Sequence, residues 1–174
     1  MPVKRQVLFF VFVAIVLASY GVVRTLQGAN HAPLPRLPVV YFYDKSDKKI
    51  TLEDFRGRVV LVNLWATWCT PCVAELPSLD RLQKALPPDK FIVVAISMDT
   101  SSMKAIGNFL KKRGIKNLDV YWDKDRQLPL KWKYAGLPTS FLLDQNGDTV
   151  AQYDGPLVWD EGKVIGEVKE LVGR

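Results

Sequence analysis

Val59-Val60-Leu61-Val62-Asn63-Leu64-Trp65-Ala66-Thr67-Trp68-Cys69-Thr70-Pro71-Cys72 is the stretch that decides the fold. The apolar run Val59 to Trp65 reads as a buried strand. After the cysteines, Leu76, Leu79, Leu82 and Leu86 recur at helical spacing, so a helix is expected over residues 70–86. The Cys-x-x-Cys pair therefore stands at a strand-to-helix junction. Unpaired N–H groups and the positive end of the helix dipole favour a thiolate at Cys69 there. These cysteines are the only two in the chain, so they pair with each other or with a partner. A disulfide closing so short a loop constrains the unfolded chain little, which argues against a purely structural bond.

Working outward, Pro77 is expected to kink this helix and Pro87-Pro88 to stop it. Upstream, Val39–Tyr43 and a strand near Ile50 form a hairpin across a polar turn, followed by a Thr51-capped turn ending at Gly57. Downstream, Phe91–Ser97 reads as a second buried strand. A helix capped by Ser101 or Ser102 carries Met103, Ile106, Phe109 and Leu110 and ends at Gly114. Leu118–Trp122 reads as a strand, and Arg126–Tyr134 as a helix weakened by Pro129. Thr139–Asp144 and Thr149–Tyr153 are expected to pair across a type I′ turn at Asn146-Gly147. Trp159–Val172 is the last helix, with Val164, Ile165, Val168 and Leu171 inward. This order is α/β, with a mostly parallel sheet, an antiparallel edge and helices on both faces.

The 174 residues allow one domain plus an appendage. Val7 to Val23 carries no charge and is long enough to span a bilayer. It reads as an anchor; the alternative is a signal peptide cleaved near Ser19-x-Gly21. Lys4, Arg5 and the amino terminus outweigh Arg24, so the N-terminus is expected in the cytoplasm and the globular part across the membrane. Either reading delivers the cysteines to an oxidising compartment. Three prolines between Pro33 and Pro38 mark a linker. The expected organisation is an anchor over 1–24, a Pro-rich linker over 25–38 and a domain over 39–174. Of the net charge of +6, Lys4, Arg5 and Arg24 supply +3. The cluster Lys111-Lys112-Arg113 reads as a solvated helix end, and no interleaved basic and aromatic pattern points to nucleic acid.

VVLVNLWATWCTPCVAELP, residues 59–77, resembles the active site of thioredoxin-fold proteins, most closely the membrane-anchored TlpA/ResA branch. Gly136-Leu137-Pro138-Thr139-Ser140-Phe141-Leu142-Leu143-Asp144 resembles the cis-proline strand of that fold. Gly155-Pro156-Leu157-Val158-Trp159-Asp160 resembles, more weakly, the TlpA-type start of the last helix. The resemblance covers residues 38–172. It implies a thioredoxin fold, a central mixed sheet flanked by helices, with an N-terminal hairpin, a helix-strand insert at about Ser101–Tyr121 and one preceding transmembrane helix. Thiol–disulfide exchange is the implied activity, in a bacterial inner-membrane protein whose domain faces the periplasm. Ordinary thioredoxins have a buried aspartate where this chain has Asn63, which cannot ionise. Glu75 stands three residues after Cys72, one helical turn away. The branch has a glutamate there, and its role carries over to Glu75.

In that reading Cys69, at the exposed helix start, attacks a client disulfide and Cys72 resolves the mixed disulfide. Glu75 accepts the Cys72 proton, with its pKa raised if it is partly buried beside Trp65 or Leu76; the bland alternative is a solvated helix acid. The resemblance implies a cis Pro138 that sets the Leu137 backbone beside the sulfurs, against an extended client strand. Trp65 reads as core and Trp68 as a partly exposed docking lip, while Thr70 and Pro71 tune the redox potential. Trp159 either lines the same face or is a core anchor. Haem attachment needs a His directly after Cys72, where Val73 stands. A closed zinc site needs four ligands, and the chain offers two cysteines and His31. No cofactor is expected beyond the redox-active Cys69–Cys72 pair. Two functions stay open. One is a reductant of client cysteines, in apocytochrome c or the copper site of cytochrome oxidase, recharged by a membrane thiol reductant. The other is a copper-handling assembly chaperone. A general oxidant is less favoured, because such proteins carry a His inside the pair.

Overall fold

The computed structural model describes residues 34–173. The expected membrane span, 7–23, and the first part of the linker lie outside the described residues. Among the described residues no helix is long and apolar enough to cross a membrane.

Seven strands form one sheet: β1 (Phe42–Tyr43), β2 (Lys49–Ile50), β3 (Val59–Trp65), β4 (Phe91–Ser97), β5 (Tyr121–Trp122), β6 (Thr139–Leu143) and β7 (Thr149–Asp154). Among the described residues four α-helices accompany them: α1 (Thr70–Ala85), α2 (Met103–Lys112), α3 (Leu128–Lys131) and α4 (Gly162–Val172). The strand order is β2-β1-β5-β4-β3-β6-β7. Thr51 caps a 3₁₀ turn over Leu52–Phe55, as its sequence suggests. The boundaries expected for β3 and β4 hold, and Ser102 rather than Ser101 caps α2.

The sheet is mixed, as the thioredoxin resemblance implies, and not mostly parallel. Only β3–β4 and β4–β5 run parallel; the other four pairings are antiparallel. The reason lies in the connections. The segments carrying α1 and α2 are long enough to return the chain to the sheet's starting edge, which makes the next strand parallel. By contrast α3 has only four residues, with Pro129 among them, and it rises about 6 Å. The chain therefore re-enters the sheet at the end where β5 stops, and β6 runs against β3, Leu64 opposite Thr139. That is also the end where β3 hands over to the cysteines.

Side-chain alternation in β3 feeds two cores. Val59, Leu61 and Trp65 pack with α1, α2 and α4, in the cluster that contains both cysteines. Val60, Val62 and Leu64 pack on the other face with Phe42, Phe55, Leu128, Trp132 and Phe141. Helices lie on both faces, as expected, but unequally: the three longer ones share one face. The 3₁₀ turn, α3 and the segment around Leu37 and Val40 cover the other. There the Trp132 indole N–H donates to the Pro38 carbonyl at 2.8 Å, and Arg36 pairs with Asp148. Pro77 lies on the exposed side of α1 and does not end it.

The β6–β7 turn is not type I′, which needs positive φ at both central residues. Only Gly147 has it, at 77°. Gly147 N donates to the Asp144 carbonyl, and the Asp144 carboxylate accepts from the backbone N–H groups of Asn146 and Asp148. The aspartate thus caps a type I turn whose last residue is left-handed. The Asp44 turn between β1 and β2 repeats this arrangement, with Asp47 at φ 60°.

Candidate active site

The loop from Trp65 to Cys69 is held from below by Asp99, just beyond β4. Asp99 is buried, and its carboxylate accepts from Thr67 N at 3.0 Å, Thr67 Oγ1 at 2.6 Å and Ser97 Oγ at 2.6 Å. The Trp122 indole N–H donates to the Asp99 carbonyl at 2.7 Å. Sequence reasoning passed over Asp99, because its partner Thr67 lies 32 residues away.

Cys69 is the N-cap of α1, and its Sγ accepts from Cys72 N at 3.3 Å. Pro71 sits in the first turn, where a missing N–H costs nothing. Cys69 and Cys72 are joined as a disulfide. Cys69 is the more accessible of the two, but only just, at 6% against 0% for Cys72. The exposed cysteine expected at the helix start is therefore nearly covered in the oxidised pair. What stands in solvent is its surround, Trp68 at 69% exposure with Thr70 and Pro71.

Behind the pair, α1 turns Glu75 into the protein, where it is 2% exposed. It is not a solvated helix acid. Alternation along β3 puts Asn63 on the α1 side, with Ser140 of β6 directly across from it. Asn63 Nδ2 donates to Glu75 Oε1 at 2.7 Å and to Ser140 Oγ at 2.9 Å. Glu75 Oε2 accepts from Leu157 N at 3.1 Å and from Trp159 Nε1 at 2.9 Å. Burial raises the Glu75 pKa above the ordinary carboxylate range, while the Trp159, Leu157 and Asn63 hydrogen bonds pull it back. The polar neighbours are thus Asn63 and Trp159, where sequence reasoning named Trp65 and Leu76. Trp159 was assigned to the last helix; the helix starts at Gly162, and Trp159 is fully buried ahead of it. The Asn63 Oδ1 atom is buried without a hydrogen-bond partner.

The Leu137–Pro138 peptide bond is cis. Pro138 is buried, and its carbonyl accepts from Gly155 N at 2.9 Å. Leu137 is half-buried and packs partly against the core cluster that includes both cysteines. Cys69, Cys72, Glu75, Leu137 and Pro138 thus gather at one end of the sheet, with Trp68, Thr70 and Pro71 outside them. Among the described residues no group of three or more His, Cys, Asp or Glu side chains is arranged to hold a metal ion.

Known proteins are similar to this chain in sequence and in fold. The family model described as AhpC/TSA matches residues 29–152. A thiol-disulfide oxidoreductase ResA of Bacillus anthracis is 31% identical over 158 residues, covering 87% of this chain and 90% of that protein. ResA of Bacillus subtilis is 34% identical over 114 residues, 66% of this chain and 63% of its own length. Among solved structures, a Chlorobium tepidum protein assigned as thiol:disulfide interchange protein DsbE superposes with a TM-score of 0.70 at 28% identity, over 81% of this chain and 98% of that one. The exposed lipoprotein thioredoxin of Streptococcus pneumoniae gives 0.63 at 27% identity, over 77% of this chain and all, 100%, of that one.

Proposed function

This chain belongs to the AhpC/TSA family and is a thiol-disulfide oxidoreductase of the ResA and DsbE type; we propose that it reduces disulfides in particular client proteins outside the cytoplasm. The observation that carries this reading is the buried carboxylate of Glu75, one helical turn beyond a fully buried Cys72. A general base belongs there if the second thiol must be activated to resolve a mixed disulfide.

In the reduced protein the Cys69 thiolate attacks one sulfur of a client disulfide, and the other client sulfur leaves as a thiolate. Cys72 gives its proton to Glu75 and attacks Cys69 Sγ of the mixed disulfide. The client's second sulfur departs as a thiolate, and Cys69–Cys72 closes. Two electrons have moved to the client, with no cofactor beyond the dithiol. Trp68, Thr70 and Pro71 form the contact rim, and the Leu137–Pro138 backbone receives the client strand. The closed pair must then be reduced by an upstream membrane dithiol. Val7–Val23 anchors the chain in a bacterial inner membrane, N-terminus inside and domain in the periplasm. Clients are the cysteines of apocytochrome c or of the cytochrome oxidase copper site, as the TlpA/ResA resemblance implies.

The deciding experiment is the reduction potential of Cys69–Cys72 in the full chain, equilibrated with glutathione buffers. A value near or below roughly −230 mV supports a reductant. A value near about −120 mV overturns it in favour of an oxidant.

A further inference from the structure

Between β7 and α4 the chain passes through Gly155-Pro156-Leu157-Val158-Trp159-Asp160, and this segment is strapped to α1. Arg81 grips Asp160 with two hydrogen bonds, at 2.6 and 3.0 Å. The Trp159 ring is fully buried and stands edge-on to Tyr153, centroids 5.4 Å apart. Its indole N–H is therefore fixed in place.

The hydrogen bonds divide unequally between the two Glu75 oxygens. Oε2 accepts two N–H groups, from Leu157 and Trp159, which fill its two lone pairs. Oε1 accepts one, from Asn63, and keeps a lone pair open. The forces acting on its ionisation are burial and these three bonds, with no neighbouring charge among them. Arg81 and Asp160 neutralise each other toward the surface. Cys72, once reduced, is the titratable group that shares its helix turn.

We propose that Trp159 is a positioning residue for the exchange reaction: with Leu157 it saturates Oε2, and so assigns the Cys72 proton to Oε1. This rests on the reading that Glu75 accepts that proton. The indole also holds the carboxylate charged when Cys72 must give its proton up.

The test uses Trp159→Phe, which keeps an aromatic ring beside Tyr153 and removes the N–H together with the smaller ring of the indole. Two readouts are made on the full reduced chain, the Glu75 carboxyl titration by ¹³C NMR and the pH profile of mixed-disulfide resolution, and the second is repeated in Glu75→Gln. Trp159→Phe should move the Glu75 titration to higher pH, because the charged form loses a donor. Resolution on the acid limb should slow about tenfold, the size of one charge-assisted hydrogen bond. Adding Trp159→Phe to Glu75→Gln should slow nothing further. An unmoved titration, or equal slowing in both backgrounds, overturns the proposal. If Glu75→Gln alone resolves at the normal rate, the Glu75 reading falls and this one with it. If Glu75→Gln slows resolution and Trp159→Phe does not, only this one falls. Should the variant not fold, the unaltered chain still decides: its Trp159 indole proton resonance must titrate with Glu75, and a flat resonance overturns the assignment.

Discussion

The two cysteines sit three residues apart and live in opposite surroundings. Cys69 caps the helix at the edge of solvent, framed by exposed Trp68, Thr70 and Pro71. Cys72 is sealed, and Glu75, one turn beyond it, accepts three hydrogen bonds from two separate stretches of chain. The first sulfur is tuned by what any helix start provides, N–H groups and a dipole. The second depends on a carboxylate that the fold must bury and fasten. A front built for contact and a back built for proton transfer suit two successive attacks by unlike thiols.

The harshest way to break the comparison is to remove each sulfur. Cys69→Ser should abolish exchange, whereas Cys72→Ser should still attack and then stall, accumulating a mixed disulfide visible by mass spectrometry. Equal loss without any adduct in the second variant would erase the division of labour.

Next comes Glu75→Gln, which should slow resolution by about 10²-fold while leaving the first attack near its normal rate. It also has a signature in stability. The folded pKa of Glu75 is raised, so the native state holds its proton more tightly than the unfolded chain. Stability from this group is therefore full at acid pH and falls as pH rises from the ordinary glutamate range through the raised value. Denaturant titrations of the reduced chain should show that decline, and Glu75→Gln should flatten it. An unchanged slope would mean Glu75 is not the group responsible.

Asn63→Asp sharpens the role of the back wall. It replaces the Nδ2 donor at 2.7 Å from Glu75 Oε1 with a second acid. One of the two must then hold a proton. The variant should lose about 3 kcal/mol at neutral pH, and recover part of it in acid, as read from unfolding midpoints.

Smallest is Trp68→Ala at the front. An exposed ring contributes little to the fold, so stability should stay within about 0.5 kcal/mol. The KM for a protein disulfide should rise while small disulfides react as before. A rise for both would place Trp68 in the chemistry and not in docking.

The front of the site was legible in the sequence and the back only in part. Strand β3 and the start of α1 follow from local pattern, because apolar runs and helix starts are written in neighbouring residues. The redox pairing of Cys69 with Cys72 and the role of Glu75, three residues beyond Cys72, rest on the family resemblance as well. The donors to Glu75 were not legible. Leu157 and Trp159 lie 82 and 84 residues further on, and the helical stripe Val164, Ile165, Val168 and Leu171 draws Trp159 into the last helix when read by periodicity. Element order alone reads as mostly parallel, because the direction of β6 depends on how short α3 is, and no apolar pattern announces that length. The β6–β7 turn was misjudged because Asn-Gly was weighed without the preceding Asp144, whose carboxylate gathers two N–H groups.

The reach of the Glu75 contacts also has a consequence in time. A chain made from its N-terminus carries both cysteines long before it carries Trp159, and contacts between distant positions close late in folding. Until that last strap arrives, Glu75 lacks two of its three hydrogen-bond donors. The contact end of the exchange centre is thus written early in the chain, and its proton-accepting end is completed last.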